Sequence, residues 1–97
     1  MLNLKPGELE AIKKILKKNV PGAQVIAFGS RVAGTAVAHS DLDLAIKAAA
    51  ALPFSTLGNL KMDFEESTLS FRVDIADWYS ISAEFKKIIQ ARSVLIQ

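Results

Sequence analysis

The chain has 97 residues, of which 51% are apolar, and its 12 basic and 10 acidic residues leave a net charge of +2. Cysteine is absent, which excludes disulfide bonds and thiolate metal sites. A chain of this length is expected to form one domain, residues 1–97. Because we find no signal peptide and no long apolar span, we expect a cytoplasmic protein.

The first half of the chain alternates helical and strand patterns. Apolar residues at helical spacing predict a helix over residues 7–19, with a proline in its first turn and a glycine beyond its end. The continuous apolar run at 25–28 predicts a buried strand, and a short helix is expected over residues 31–34. Alternating apolar and acidic residues at 42–46 predict a second strand with two unlike faces.

The second half adds two helices and a strand. A 3.6-residue apolar period predicts a helix over about 53–66, residues 71–77 read as a strand, and Ser82 is expected to cap a last helix that runs to residue 91. That helix is expected to turn three apolar side chains inward: Phe85, Ile88 and Ile89. Trp78 and Tyr79 are expected to close the core rather than to stack on a base. The order of elements predicts an α/β (α+β) fold, a small mixed β-sheet with flanking helices.

Surface composition limits the expected partners. Four lysines lie at the end of the first helical pattern: Lys13, Lys14, Lys17 and Lys18. They are interpreted as a solvated face that complements the helix dipole, so no direct nucleic-acid binding and no membrane contact are expected. The apolar fraction is high for a small domain. Some apolar residues are therefore expected to face a partner protein or a second copy of the chain.

A Gly-Ser pair follows the first strand. Gly29 permits backbone angles that other residues resist and lets a phosphate approach the chain closely. Ser30 adds a hydroxyl group and is expected to cap the short helix over residues 31–34, whose free N–H groups form a natural anion site. Most such pairs are ordinary turns, so the pair alone specifies little. Arg31 has two open interpretations, a bidentate phosphate ligand or a solvated helix residue.

Acidic residues mark the second and third strands. Asp41 and Asp43 are two apart and project from the same strand face, where their mutual repulsion favours a shared cation such as Mg²⁺. The alternative is a solvated face or a turn at Ser40. Asp74 interrupts an apolar strand, and it joins the pair if the two strands are neighbours. Asp77 falls on the opposite face and is interpreted as a cap or a surface acid. A phosphate cradle with three acids suits phosphoryl or nucleotidyl transfer.

This combination resembles a known signature. Gly29-Ser30, Gly34 and the segment 40–46 match Gly-Ser-x-x-x-Gly-x(5)-Ser-Asp-x-Asp-Leu-x-Ile, the pattern of the polymerase-beta-type nucleotidyltransferases. The short length and the segment Val73-Asp74-Ile75 are similar to the minimal branch of that superfamily, the MNT proteins. The likeness spans nearly the whole chain and implies a palm-like nucleotidyltransferase core.

The resemblance also implies roles for individual residues. Gly29 and Ser30 would hold the triphosphate of ATP. Asp41 and Asp43 would bind two magnesium ions, and Asp74 would complete the site as metal ligand and base.

Partners are implied in the same way. MNT proteins are commonly paired with a helical HEPN-domain protein, and in such toxin–antitoxin pairs the MNT antitoxin can adenylylate the HEPN ribonuclease. Because 97 residues leave no space for an acceptor domain, we expect a second protein to hold the acceptor. The expected activity is Mg²⁺-dependent transfer of AMP from ATP to a hydroxyl of that protein. The alternatives are a catalytically silent module that acts on its partner by contact, and a small-molecule nucleotidyltransferase.

Overall fold

The computed structural model describes residues 2–37 and 39–97. Its regular elements are α1 (Pro6–Asn19), β1 (Gln24–Phe28), α2 (Ser30–Ala33), β2 (Leu42–Lys47), α3 (Phe54–Glu65), β3 (Val73–Asp77), α4 (Ala83–Ala91) and β4 (Val94–Leu95). A short 3₁₀ helix, Trp78–Ser80, joins β3 to α4. No helix in the described part of the chain is both long and apolar enough to cross a membrane.

The four strands form one mixed sheet in the order β3-β2-β1-β4. Strand β1 runs antiparallel to β2 and β4, whereas β2 and β3 are parallel. This sheet with its flanking helices confirms the predicted fold class. Asp43 at the centre of the sheet pairs with Phe28 on β1 and with Asp74 on β3. Paired residues project to the same face, so the two carboxylates are neighbours.

Most of the core lies on the sheet face that α1 and α3 cover. Fully buried side chains reach it from both helices and from the strands: Ile12, Leu16, Val25, Leu42, Leu44, Ile46 and Leu60. Each such side chain contributes about 1.5–3 kcal/mol by leaving water. A smaller cluster on the other face joins Ala45 of β2, Trp78 and Ile89 of α4. The acidic side chains belong to this second face, because Asp43 precedes Ala45 by two residues on the strand.

Several element ends differ from the sequence prediction. Helix α2 ends at Ala33 because Gly34 adopts a left-handed conformation with φ 84°. Strand β3 begins at Val73, two residues later than predicted, and β4 was not predicted because two residues are too few to display a period. The predicted cap of α4 is correct, since the Ser82 hydroxyl accepts a hydrogen bond from the N–H of Phe85 at 3.1 Å.

The inward face of α4 differs more substantially. Ile89 is buried as predicted, but Ile88 is 65% exposed and Phe85 is 36% exposed. Consecutive residues of a helix point about 100° apart, and here Ile89 faces the cluster around Trp78 while Ile88 points away from it. Phe85 instead places its ring edge-on against Phe28, with 5.6 Å between the ring centroids. The prediction that all three side chains point inward is therefore wrong for Ile88.

Candidate active site

The turn after β1 brings backbone close to a carboxylate. Gly29 has φ 82° and ψ −157°, a conformation that is essentially restricted to glycine. Its carbonyl oxygen accepts hydrogen bonds from the N–H groups of Val32 and Ala33, so Gly29 is the N-cap and α2 starts at Ser30. The prediction that Ser30 caps this helix is therefore wrong by one residue. A Cβ atom at Gly29 would overlap Oδ2 of Asp43. Glycine is thus required both for the angle of this turn and for its approach to Asp43.

Asp43 is the electrostatic centre of the site. Partial burial of its carboxyl group raises its pKa above the usual range, and the charges of Asp74 and Asp41 raise it further, whereas Arg72 lowers it. Asp74 lies directly beside it on β3, and Asp41 immediately precedes β2. The structure therefore brings together the three acids that the sequence predicted, with Gly29 on the other side of Asp43.

Arg72 connects the two outer acids. Its Nη2 atom donates a hydrogen bond to Oδ2 of Asp41 at 3.0 Å, and its Nε atom lies 3.5 Å from Oδ1 of Asp74. The guanidinium supplies positive charge to a cluster that otherwise carries three carboxylates. Sequence reasoning missed this residue. The available signal was its position two residues before Asp74, which places both side chains on the same face of the chain.

Arg31 is buried against backbone carbonyl groups and an aromatic ring. It is only 4% exposed, its Nε donates to the carbonyl of Ser40 at 2.9 Å, and its Nη1 donates to the carbonyl of Asn3 at 3.0 Å. The guanidinium also covers the ring of Phe71, 4.0 Å from the ring centroid. The interpretation as a solvated helix residue is wrong. These contacts fix the backbone immediately before Asp41, and the alternative of a phosphate ligand draws no support from them.

The acids offer suitable donors for a metal ion without a closed set of ligands. Within residues 2–37 and 39–97, no three or more His, Cys, Asp or Glu side chains are grouped closely enough to hold a metal ion. Carboxylate oxygens are nevertheless the ligands that Mg²⁺ prefers, and this ion usually completes its shell with water and substrate phosphates. Partial burial, and then the charges of Asp74 and Asp41, raise the pKa of Asp43, and a cation bound there would favour its ionised form. The residues therefore fit a divalent ion that arrives with a phosphate ligand.

The residues that follow β3 have structural roles. Asp77 is buried on the opposite face from Asp74, where its carboxylate accepts hydrogen bonds from the N–H groups of Leu52 at 2.8 Å and Tyr79 at 3.0 Å. It is a cap, as one of the two interpretations held, and not a surface acid. Trp78 is buried in the smaller cluster, so it closes the core as predicted. Tyr79 is half exposed.

Residues 10–97 match the family described as Polymerase beta, Nucleotidyltransferase. The chain belongs to this nucleotidyltransferase family. Within the family, the chain is similar to a probable protein adenylyltransferase, MntA, of Haemophilus influenzae. The two are 47% identical over 96 residues, which is 99% of this chain and 84% of the relative. The predicted resemblance to the minimal nucleotidyltransferases, and the prediction of an enzyme, are confirmed.

Solved structures of the family give the same result for the fold. A crystal structure of a toxin–antitoxin with AMP-PNP contains a chain that is 28% identical, with a TM-score of 0.77 over 92% of this chain and 72% of that chain. A re-refined structure of a tri-AMPylated HEPN toxin from Shewanella oneidensis with its MNT antitoxin matches at 24% identity. Its TM-score is 0.70 over 92% of this chain and 68% of that chain. At that identity the likeness shows the fold alone.

Proposed function

We propose that this nucleotidyltransferase moves AMP from ATP to a hydroxyl group of a partner protein, with Mg²⁺ bound at Asp41 and Asp43. One observation carries the proposal. Asp43 lies between the glycine turn at Gly29 and a third carboxylate, Asp74. In the proposed arrangement the phosphates of the donor lie on the Gly29 side of Asp43 and the acceptor hydroxyl lies on the Asp74 side. In-line displacement further requires that the attacking and leaving oxygens lie on opposite sides of the phosphorus.

The donor side is formed by the turn. Gly29 exposes backbone to the phosphates, and Ser30 adds a hydroxyl group at the start of α2. Asp41 and Asp43, with Asp74 as a further ligand, would hold the divalent ion. The ion, when bound, supplies Lewis-acid neutralisation of the charge that develops on the phosphate oxygens. Partial burial and the charges of Asp74 and Asp41 raise the pKa of Asp43, and this supports the assignment because a bound cation would stabilise the ionised carboxylate.

The acceptor side is formed by β3. Asp74 keeps 49% of its side chain exposed, so its carboxylate is accessible to an incoming hydroxyl group. In the proposed reaction Asp74 takes the hydroxyl proton and the hydroxyl oxygen bonds to the α-phosphorus. The bond from the α-phosphorus to the bridging oxygen breaks, and pyrophosphate leaves with both electrons of that bond. The products are pyrophosphate and an AMP ester of the acceptor.

The proposed acceptor is a tyrosine of a helical HEPN-type protein, toward which this chain serves as the antitoxin. Two comparisons support this choice. The relative at 47% identity is named a probable protein adenylyltransferase, and a structure at 28% identity is a toxin–antitoxin with a nucleotide analogue. Exposed apolar side chains, among them Phe54 at 94% and Met62 at 55%, are consistent with a surface that a partner covers.

The test is mass spectrometry of the co-expressed HEPN-type partner after incubation with ATP and Mg²⁺. The wild-type protein is expected to add AMP, and Asp74→Asn is expected to retain the complex without adding AMP. Asp63→Asn is a matched control, because Asp63 is an acid remote from the site that pairs with Lys18 at 3.3 Å. An adduct that persists with Asp74→Asn would contradict the role of this carboxylate. Tight binding without an adduct from the wild type would instead identify a contact-only module.

A further inference from the structure

Arg72 lies at the edge of the sheet, one residue before β3, and combines a fixed backbone with an exposed side chain. Its carbonyl oxygen accepts a hydrogen bond from the N–H of Leu42 at 2.9 Å, which ties its backbone to β2. Its side chain is 71% exposed. Because exposed side chains change rotamer readily, the guanidinium can leave its present partners while the strand stays in place.

The guanidinium contacts carboxylate oxygens that the proposed metal ion would use. Nη2 of Arg72 lies 3.0 Å from Oδ2 of Asp41, and Nε lies 3.5 Å from Oδ1 of Asp74. A guanidinium stays protonated and offers no lone pair to a metal ion, so it cannot become a ligand itself. An ion that binds Asp41 and Asp74 together must therefore displace Arg72.

Charge decides how difficult this displacement is. Partial burial and two neighbouring carboxylates raise the pKa of Asp43, and the positive charge of Arg72 opposes that increase, so its influence extends to the central acid. A free divalent ion that enters the cluster is repelled by the guanidinium. An ion bound to a triphosphate carries a net negative charge, and this repulsion is then compensated.

We infer that Arg72 is a positioning residue that makes the three acids select a divalent ion carried by nucleotide over the free ion. The inference rests on the proposed function and deepens it, because it concerns how the same site distinguishes two forms of its metal. In the free protein the guanidinium holds Asp41 and Asp74. Its displacement by the incoming ion and nucleotide releases Asp74, so this carboxylate becomes available to the acceptor hydroxyl only after the donor has bound.

The experiment compares free Mn²⁺ with the Mn²⁺ complexes of ATP and of inorganic tripolyphosphate, each titrated by calorimetry at low ionic strength. Arg72→Gln is expected to bind free Mn²⁺ about tenfold more tightly than the wild type and to bind both complexes within about twofold of it. Arg72→Lys retains the positive charge and should restore most of the discrimination. The gain for free Mn²⁺ should shrink at high salt, which screens exposed charges.

Lys18→Gln is the matched control. Lys18 is 72% exposed and pairs with Asp63 at 3.3 Å, on helices away from the acid cluster. This variant loses the same charge and a similar ion pair, so all three affinities should stay at the wild-type values. A second measurement follows the Nε–Hε signal of Arg72 by nuclear magnetic resonance, with the signal identified by its loss in Arg72→Lys. Addition of Mg²⁺ and ATP should shift it.

The outcomes are distinct. Normal binding of the Mn²⁺–ATP complex shows that Arg72→Gln is folded. An equal gain for free Mn²⁺ and for the complexes would overturn the inference and leave the proposed function intact, as would weaker binding of free Mn²⁺. An Arg72 signal that does not move on saturation with Mg²⁺ and ATP would also overturn it. The expected affinities and shift, without AMP transfer to the HEPN-type partner, would support the inference and contradict the proposed function.

Discussion

Substitution of Gly29 by alanine tests the link between the phosphate turn and Asp43. The backbone angles at Gly29, φ 82° and ψ −157°, lie in a region where a side chain costs about 1–3 kcal/mol. The new Cβ would overlap Oδ2 of Asp43 and would approach Cγ of that residue to 3.2 Å. The carboxylate is the flexible end of a partly buried side chain, so it is expected to rotate away. We therefore expect a moderate loss of stability and a nearly complete loss of Mg²⁺–ATP binding.

Gly34→Ala is the matched control. Gly34 also has a positive φ of 84°, but a Cβ there would meet no other atom within 4 Å. Its left-handed conformation costs an alanine about 1–2 kcal/mol. For a domain of this size, each kcal/mol lowers the melting temperature by about 4–8 °C. Both variants should therefore melt at lower temperatures, whereas only Gly29→Ala should lose ligand binding.

Thermal melts by circular dichroism measure the loss of stability. Calorimetric titration with ATP and Mg²⁺, performed well below both melting temperatures, measures the loss of binding separately. Equal loss of binding in the two variants would refute the reasoning, because it would trace the defect to general backbone strain. Normal binding by Gly29→Ala would refute it as well, since the phosphates would then lie away from this turn.

Three further predictions follow from charges and burial. The pKa of Asp43 is higher in the folded protein than its ordinary value of 3.8, so the ionised group destabilises the fold at neutral pH. In the absence of metal at pH 7, Asp43→Asn should therefore melt at a higher temperature than the wild type. The difference should shrink as the pH falls through the raised pKa of Asp43. A lower melting temperature for the variant at pH 7 would contradict the electrostatic account. Arg72→Gln removes a positive charge that lies 3.0 Å from Asp41. Titration calorimetry in the absence of nucleotide should therefore show tighter Mn²⁺ binding by this variant. Weaker binding would mean that the guanidinium organises the acids for the metal. Arg31→Met leaves two carbonyl oxygens without their donor and should cost about 1–3 kcal/mol in chemical denaturation, with tripolyphosphate affinity unchanged. A selective loss of tripolyphosphate binding would restore Arg31 as a phosphate ligand.

The sequence alone predicts the helices and strands that have a clear apolar period, and it predicts which acids share a face of one strand. Asp41 and Asp43 share a face because residues two apart on a strand always do. The prediction that Asp74 lies beside them depends on its strand being a neighbour of theirs. The structure meets this condition, because β3 pairs with β2 in parallel. These predictions depend on local periodicity and on one strand pairing.

The remaining features depend on what lies across the fold. The sequence does not show that Phe71 and two carbonyl groups surround Arg31, so its burial could not be predicted. Ile88 continues the apolar pattern of α4, yet the sheet beneath that helix accommodates only its neighbour Ile89. In both cases tertiary neighbours decide the environment of a side chain whose local pattern permits either outcome.

Strand β3 is an outer strand of the sheet, and this position gives its charges a second consequence. An outer strand has backbone groups that can pair with another chain, and charged side chains along it oppose such association. Asp74 lies on this strand and Arg72 immediately before it, both with exposed side chains. Neutralising them to silence catalysis would also remove protection against edge-to-edge aggregation, so inactive variants of this enzyme should be less soluble at high concentration than their melting temperatures suggest.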